Sequence, residues 1–332
     1  MDALSEVLRL VRLTGAVFLN AELTAPWAVE APPSTVLAQA MMPEADHIIE
    51  YHLVVEGQCF IKVGDEAPLK LEQGDVVMVP RGDTHRMSSE LQPTVPVSPG
   101  AEMTFPLPGE IVTVRHGAGG ERTRLVCGYL AIDHRLCAAL IDALPRAFRV
   151  SAGSTEVSAW LQTYLRIWLI ERGEDQPGGA CVLAKLSELM FVDAIRRYVE
   201  SLPPDQAGWL CGLKDPYVGK ALGLMHGHPT RTWTVESLAR EVGLSRSALA
   251  DRFTALLGRS PMQYLTQWRL TLAAHLLRTT NKSASVVAHD VGYESEAAFN
   301  RAFRREFGAP PAAWRRRDGS GQRAEHAAVA PQ

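Results

Sequence analysis

Glu50 and His52 stand two residues apart in a strand-like run, so a β-strand there would turn a carboxylate and an imidazole to one face and His47 to the other. Such donors suit a divalent metal ion, and equally a polar pocket lining or rim. The five cysteines, Cys59, Cys127, Cys137, Cys181 and Cys211, are odd in number and widely scattered, which fits reduced thiols better than a disulfide framework. Cys59 and Cys127 have apolar same-face neighbours (Ile61 and Val63; Leu125 and Tyr129). A cysteine so placed behaves as a small hydrophobe unless its thiol pKa is lowered. The third group with chemistry is basic. Residues 228–320 hold 14 Lys+Arg against 8 Asp+Glu, a net +6, whereas residues 1–227 hold 19 against 28, a net −9. The overall charge of −3 therefore hides a polyanion-binding module carried on an acidic body.

The elements that must position these groups fall into two halves. The chain has 332 residues, 46% of them hydrophobic, enough for about two domains each with its own core. Arg166 and Glu171 bracket the most apolar run, Ile167 to Ile170, far short of the ~20 residues that cross a bilayer. Asp2 and Glu6 interrupt the leucines of the amino-terminal stretch, so no signal peptide is read and a cytoplasmic protein is expected. Residues 36–130 alternate as strands do, with Ile49, Tyr51, Leu53 and Val55 on one parity. Turns at Glu56-Gly57, Gly64-Asp65 and Gln73-Gly74-Asp75 recur at about the 8–12-residue spacing of a small barrel or sandwich. Prolines 93, 96, 99, 106 and 108 mark a surface loop. From Ser151 the period becomes helical. One stripe runs through Val157, Leu161, Leu165, Trp168 and Leu169, and a second through Leu183, Leu186, Met190, Phe191, Ala194 and Tyr198. The turn from Gly173 to Gly179 makes them a hairpin that could cover the strands or offer a face to a second copy.

The basic block contains an internal repeat. Leu238-Ala239-Arg240-Glu241-Val242-Gly243-Leu244 matches Val287-Ala288-His289-Asp290-Val291-Gly292-Tyr293 at an offset of 49. Leu249/Phe299, Phe253/Phe303, Gly258/Gly308, Pro261/Pro311 and Tyr264/Trp314 then match at an offset of 50. Each copy reads as a short helix, a glycine turn and a longer helix, the helix-turn-helix pattern whose second helix enters the major groove. Pro261 to Arg278 is a continuous helical pattern that would hold the two readers about one DNA turn apart.

On these residues, positions 221–317 resemble the DNA-binding domain of the AraC/XylS family of transcription regulators, including its closing Gly308, Pro310, Pro311, Trp314 and Arg315. The resemblance implies base reading at Ser247, Ala250 and Asp251 in the first recognition helix, with Arg246 and Arg252 beside them, and at Glu296, Ala297, Asn300 and Arg301 in the second. Asp251 departs from the basic or amide side chain common there; it can accept from cytosine N4 and repels phosphate. Arg301 suits a bidentate guanine contact worth ~1–3 kcal/mol. Arg304, Arg305, Lys282 and Arg278 suit phosphates, or else form a solvated face.

Gly74-x5-Pro80-x-Gly82-x2-His85 resembles the second motif of the cupin barrels, with Ser89 at the usual closing Asn, and the resemblance implies an inward His85 as metal ligand. The first cupin motif is degraded, so any divalent ion falls to Glu50, His52 and His85. Related regulators with this barrel sense oxidants or electrophiles through cysteine, which directs attention to Cys59 and Cys127.

The expected fold is α+β: an antiparallel cupin barrel (1–150), a helical dimerisation and linker region (151–215), an all-α domain with two helix-turn-helix units (216–317) and a disordered tail (318–332). The expected function is sequence-specific transcription regulation, more as activator than repressor, by a homodimer that binds double-stranded promoter DNA and RNA polymerase and senses an effector or stress. The alternatives are a cupin-type metal-dependent enzyme tethered to DNA, and an architectural DNA binder without strong site preference.

Overall fold

The structure, a computed structural model, describes residues 3–10, 16–43, 45, 47–100, 111–132, 134–151, 163, 179–203 and 208–315. Contacts divide the chain into two units. One comprises residues 12–134 and 144–201, the other residues 1–11, 135–143 and 202–332.

The first unit is built on strands β1 (Ala16–Thr24), β2 (Ala28–Ala31), β3 (His47–Glu56), β4 (Gln58–Val63), β5 (Leu69–Glu72), β6 (Val76–Val79), β7 (His85–Ser88), β8 (Ser98–Pro99), β9 (Ile111–Gly117), β10 (Arg122–Ile132) and β11 (Phe148–Val150). They form a six-stranded sheet in the order β11-β6-β3-β10-β1-β9 and a five-stranded sheet in the order β5-β4-β7-β2-β8. Most neighbours are antiparallel, but β1–β9 and β2–β8 are parallel, so the sheets are mixed where an antiparallel barrel was expected. The parallel pairs lie at sheet edges. Parallel neighbours need a long crossover, and the proline-rich stretch leads into both added strands. Within it Ser98–Pro99 forms a short edge strand, where a proline without N–H is tolerated. Among the described residues the two sheets do not join into one closed sheet.

The core of this unit includes Trp27, Ile48, Val54, Ile61, Val77 and Leu125. Strand β3 is buried on both faces. Ile48, Glu50, His52 and Val54 share one parity; Ile49, Tyr51 and Leu53 share the other. Of the two parities, the one with the polar pair contributes Ile48 and Val54 to the core cluster. The uniformly apolar parity turns to a helix instead. Helix Gly179–Ser201 places Ser187 beside Tyr51, with the two hydroxyl oxygens 2.8 Å apart. Ser187 donates to the Leu183 carbonyl at 2.9 Å, so the Tyr51 O–H donates to Ser187.

That helix carries the expected second stripe: Leu183, Leu186, Met190, Phe191 and Ala194 are buried, and Tyr198 packs on Phe148 with ring centroids 4.7 Å apart. It packs on β1, β10 and β11. The first helix of the expected hairpin, with Val157, Leu161, Leu165, Trp168 and Leu169, lies outside the described residues, as does the tail after residue 317.

In the second unit, helix α1 (Ala3–Leu10) packs on Val218–Gly227, and the repeat occupies five helices: Val235–Val242, Arg246–Leu257, Pro261–Thr279, Ala284–Asp290 and Glu296–Phe307. The duplication extends to the caps. Ser245 and Ser295 each accept a hydrogen bond from the third backbone N–H of their helix, and Gly258 and Gly308 each close it in the left-handed conformation. Both turn glycines, Gly243 and Gly292, have positive φ, +86° and +87°, which disfavours any side chain there. Beneath the first repeat, the buried His226 stacks on Trp268 with ring centroids 3.8 Å apart. It shares the Tyr264 hydroxyl, at 2.8 Å, with the Trp209 indole N–H, and burial pushes its pKa down to about 3, leaving it neutral.

Gly128 faces Tyr51 across β10 and β3, where a Cβ would stand 2.0 Å from the phenol ring. Gly128→Ala is expected to destabilise the strand unit by about 1–3 kcal/mol, as overpacking does, read as a lower midpoint in urea unfolding.

Candidate functional site

The expected site residues fall into two groups, one in each unit. In the strand unit, Glu50 and His52 share the inner face of β3, and His85 opens β7. Their candidate ligand atoms all lie within 4.8 Å of one another, and all three residues are buried. His52 Nε2 is 2.8 Å from His85 Nε2, and His52 Nδ1 is 2.9 Å from Cys127 Sγ, which β10 sets directly opposite. His47 is outside the group, as strand parity requires, with its Nε2 2.7 Å from the Pro80 carbonyl oxygen.

The protons in this chain are fixed by its end. His85 Nδ1 is 3.0 Å from the Asp83 carbonyl oxygen, which can only accept, so Nδ1 carries the hydrogen and Nε2 of the neutral ring accepts. His52 then donates from Nε2 to His85, and its Nδ1 accepts from the Cys127 thiol. Burial lowers the pKa of His52, helped by His85; burial also lowers that of His85, against the pull of the Asp83 carbonyl. Burial raises Glu50 well above the carboxylate range. Among the described residues both oxygens of Glu50 are buried without a hydrogen-bond partner, and His85 Nε2 stands 4.0 Å from its Oε2. The donor set of two imidazoles and one carboxyl, with an orphaned carboxyl facing them, fits a divalent ion.

The thiols do not fit a sensor of oxidants in this conformation. Burial pushes Cys59 up to about 12, with a contribution from Asp75. Cys127 is raised too, by burial first and then by Glu50 and Cys59. A nucleophilic cysteine needs the opposite shift.

In the helical unit the two recognition helices are Arg246–Leu257 and Glu296–Phe307. Ser247, Asp251, Glu296, Ala297, Arg301, Arg304 and Arg305 are exposed, and Ala250 and Asn300 are half-buried. Two of the arginines expected at the DNA surface form ion pairs within the chain. Arg252 binds Asp215 through Nε at 2.7 Å and Nη2 at 2.6 Å, and Asp215 also accepts from the backbone N–H groups of Tyr217 and Val218. Burial would raise the Asp215 carboxyl, but Arg252 and these N–H groups outweigh it and hold it low. Arg246 Nε is 2.6 Å from Glu236 Oε1 on the preceding helix. Sequence reasoning missed Asp215 and Glu236 because neither is in the recognition helix. Lys282 pairs with Asp290 at 2.7 Å. Arg301 and Arg304 form no ion pair among the described residues.

Comparison with known proteins identifies a family for each part of the chain. A cupin family model matches residues 2–200, and a helix-turn-helix domain model matches residues 238–317. The chain is 32% identical over 320 residues to a putative AraC-like transcription regulator of Streptomyces lividans, covering 95% of this chain and 98% of that protein. It is 26% identical over 317 residues to the RCS-specific HTH-type transcriptional activator RclR of Escherichia coli K12, covering 96% and 98% respectively. Among solved structures it is similar to the DNA-binding domain of AdpA in complex with a target DNA, at 33% identity and a TM-score of 0.30, covering 33% of this chain and 96% of that one.

The thiol environments carry an expected outcome. At neutral pH, alkylation of the folded chain modifies the exposed Cys181 well before Cys59 or Cys127, which react once the chain is denatured; peptide mass spectrometry over a time course checks the order.

Proposed function

The chain belongs to the AraC-like transcription regulators, in which a cupin domain is joined to a helix-turn-helix DNA-binding domain, and from that premise we propose that it is an effector-responsive activator whose two reading units do unequal work on DNA. The observation that carries this reading is the distribution of ion pairs. The arginines flanking the first recognition surface, Arg246 and Arg252, are held by Glu236 and Asp215, and Asp251 is exposed between them. That helix meets DNA with small and acidic side chains, suited to an apolar contact with a thymine methyl or to acceptance from cytosine N4. The second helix keeps the available cations: Arg301 for a guanine edge, and Arg304 and Arg305 for phosphates. Affinity then comes mainly from the second unit, and the first adds choice of sequence.

The boundaries in this proposal are those read from the sequence: a cupin sensing domain over 1–150, a dimerisation and linker region over 151–215, and the DNA-binding domain over 216–317. The dimer surface is the outer side of helix Gly179–Ser201, where Leu189 is a large apolar side chain left 52% exposed. The regulator works in the cytoplasm and recruits RNA polymerase at its promoters, a role supported by its likeness to a relative described as an activator. An enzymatic role for the cupin domain is set aside by membership of a family of regulators.

Selection of bound sites from a random duplex library, followed by titration against salt, tests the unequal roles. Arg304→Ala is expected to lower the slope of log K against log salt by about 0.9, one phosphate contact, while Arg252→Ala leaves it unchanged. Arg301→Ala is expected to cost ~1–3 kcal/mol on the selected site and far less on random duplex. Equal losses on both would make Arg301 a phosphate contact, and a slope change for Arg252→Ala would overturn the assignment of that arginine to Asp215. Sedimentation equilibrium checks the dimer: Leu189→Asp is expected to shift the chain toward monomer.

A further inference from the structure

We propose that Arg269 is a positioning residue for DNA reading: it joins the loop before the first helix-turn-helix unit to the turn of the second, and so fixes the spacing between the two stretches of duplex that the recognition helices read. The proposal rests on the reading of the chain as a sequence-specific regulator with two reading units, and names the side chain that sets their separation.

Three observations carry it. Arg269 lies on helix Pro261–Thr279, between the two units in the chain, and its guanidinium reaches back toward the first. Nε donates to the Pro229 carbonyl at 2.7 Å and Nη2 to the Arg231 carbonyl at 3.0 Å, so one planar fork spans two carbonyls two residues apart. That loop is itself fastened to the first unit. Arg231 pairs with Glu241 of helix Val235–Val242 at 3.0 Å and lies over the Trp233 ring at 4.0 Å, and Thr234 caps the same helix. Finally, the turn of the second unit closes on the same guanidinium. A Cβ on Gly292 would stand 3.0 Å from Thr230 Cα and 3.1 Å from Arg269 Cζ and Nη2, so the missing side chain is what lets turn, loop and guanidinium meet. The turn is bonded in its own right to helix Ala284–Asp290: the Gly292 N–H donates to the His289 carbonyl at 3.0 Å and the Tyr293 N–H to the Ala288 carbonyl at 2.9 Å.

The repeat supplies its own comparison. Gly243 holds the matching place in the first unit with nearly the same φ, yet a Cβ there would have nothing within 4 Å. Left-handed backbone therefore accounts for a glycine at both turns, and close approach of the two units accounts for one only at Gly292. The consequence for DNA is geometric. One base pair added between two half-sites moves them apart by about 3.4 Å and turns them by roughly 35°. Two readers held as one body cannot follow that change without losing contacts, whereas two readers joined only through the ends of helix Pro261–Thr279 can. Arg269 acts through the recognition helices and not on the duplex.

The experiment uses the full chain and the duplex it selects from a random library. The selected site is rebuilt with one base pair added or removed between the stretches read by the two recognition helices, and affinity for each duplex is measured at one salt concentration. The parent chain is expected to prefer its selected spacing by about tenfold or more, and Arg269→Ala and Gly292→Ala, each folded by circular dichroism, to lower that preference to about threefold or less. Arg269→Lys, whose single ammonium cannot span both carbonyls as the fork does, is expected to fall between them. Gly243→Ala carries the same backbone strain without the contact; it is expected to lower the urea midpoint and to keep the spacing preference of the parent. A parental spacing preference in folded Arg269→Ala, or in Arg269→Lys where only that variant folds, overturns the proposal, as does equal relaxation in Gly243→Ala. A parent chain that selects no duplex defeats the regulator reading and the proposal with it, whereas a parent that selects a two-part site and tolerates any spacing defeats the proposal alone.

Discussion

Taking a carboxyl group and two imidazoles out of water costs several kcal/mol unless each polar atom is neutral or paired. The cupin unit meets this demand by a directional chain, from the Cys127 thiol through His52 and His85 to the Asp83 carbonyl, in which every imidazole nitrogen has one role. The chain exists because β3 lies between β10 and β6 in one sheet, with Cys127 in register with His52, while His85 comes from the other sheet. Much of the local architecture serves that arrangement. The apolar face of β3 is covered by the helix bearing Ser187, and Gly128 is bare so that the Tyr51 ring fits. Among the described residues, Glu50 is left without a hydrogen-bond partner for either oxygen.

The DNA-binding unit depends on a different economy of charge. Its repeated halves share caps, turn glycines and core aromatics, yet differ in what they do with arginine. The first half ties Arg246 and Arg252 into its own scaffold, and the second leaves Arg301 and Arg304 outside any ion pair among the described residues. Duplicate backbones thus differ in which of their arginines are paired within the chain.

The sequence revealed most of the second unit and less of the first. Repeats and turn glycines are local signals, so the helix-turn-helix pairs were legible down to their turns. Strand parity likewise separated His47 from Glu50 and His52. It could not tell which face of β3 joins the core, since a strand buried on both sides gives two valid faces. The parallel edges β1–β9 and β2–β8 were invisible because crossover pairing joins residues far apart in sequence. The partner of Arg252 was invisible for the same reason: Asp215, 37 residues away, lies in a segment that carries no motif. Long-range pairing is a property of the fold, and no window of residues contains it.

The Arg252–Asp215 ion pair has a kinetic meaning as well. Asp215 accepts from the backbone N–H groups of Tyr217 and Val218 at the start of helix Val218–Gly227 while pairing with the first recognition helix, so the orientation of that helix is set before DNA arrives. A preorganised reader loses little conformational entropy on docking, and its encounter with DNA needs only the right approach rather than a folding step.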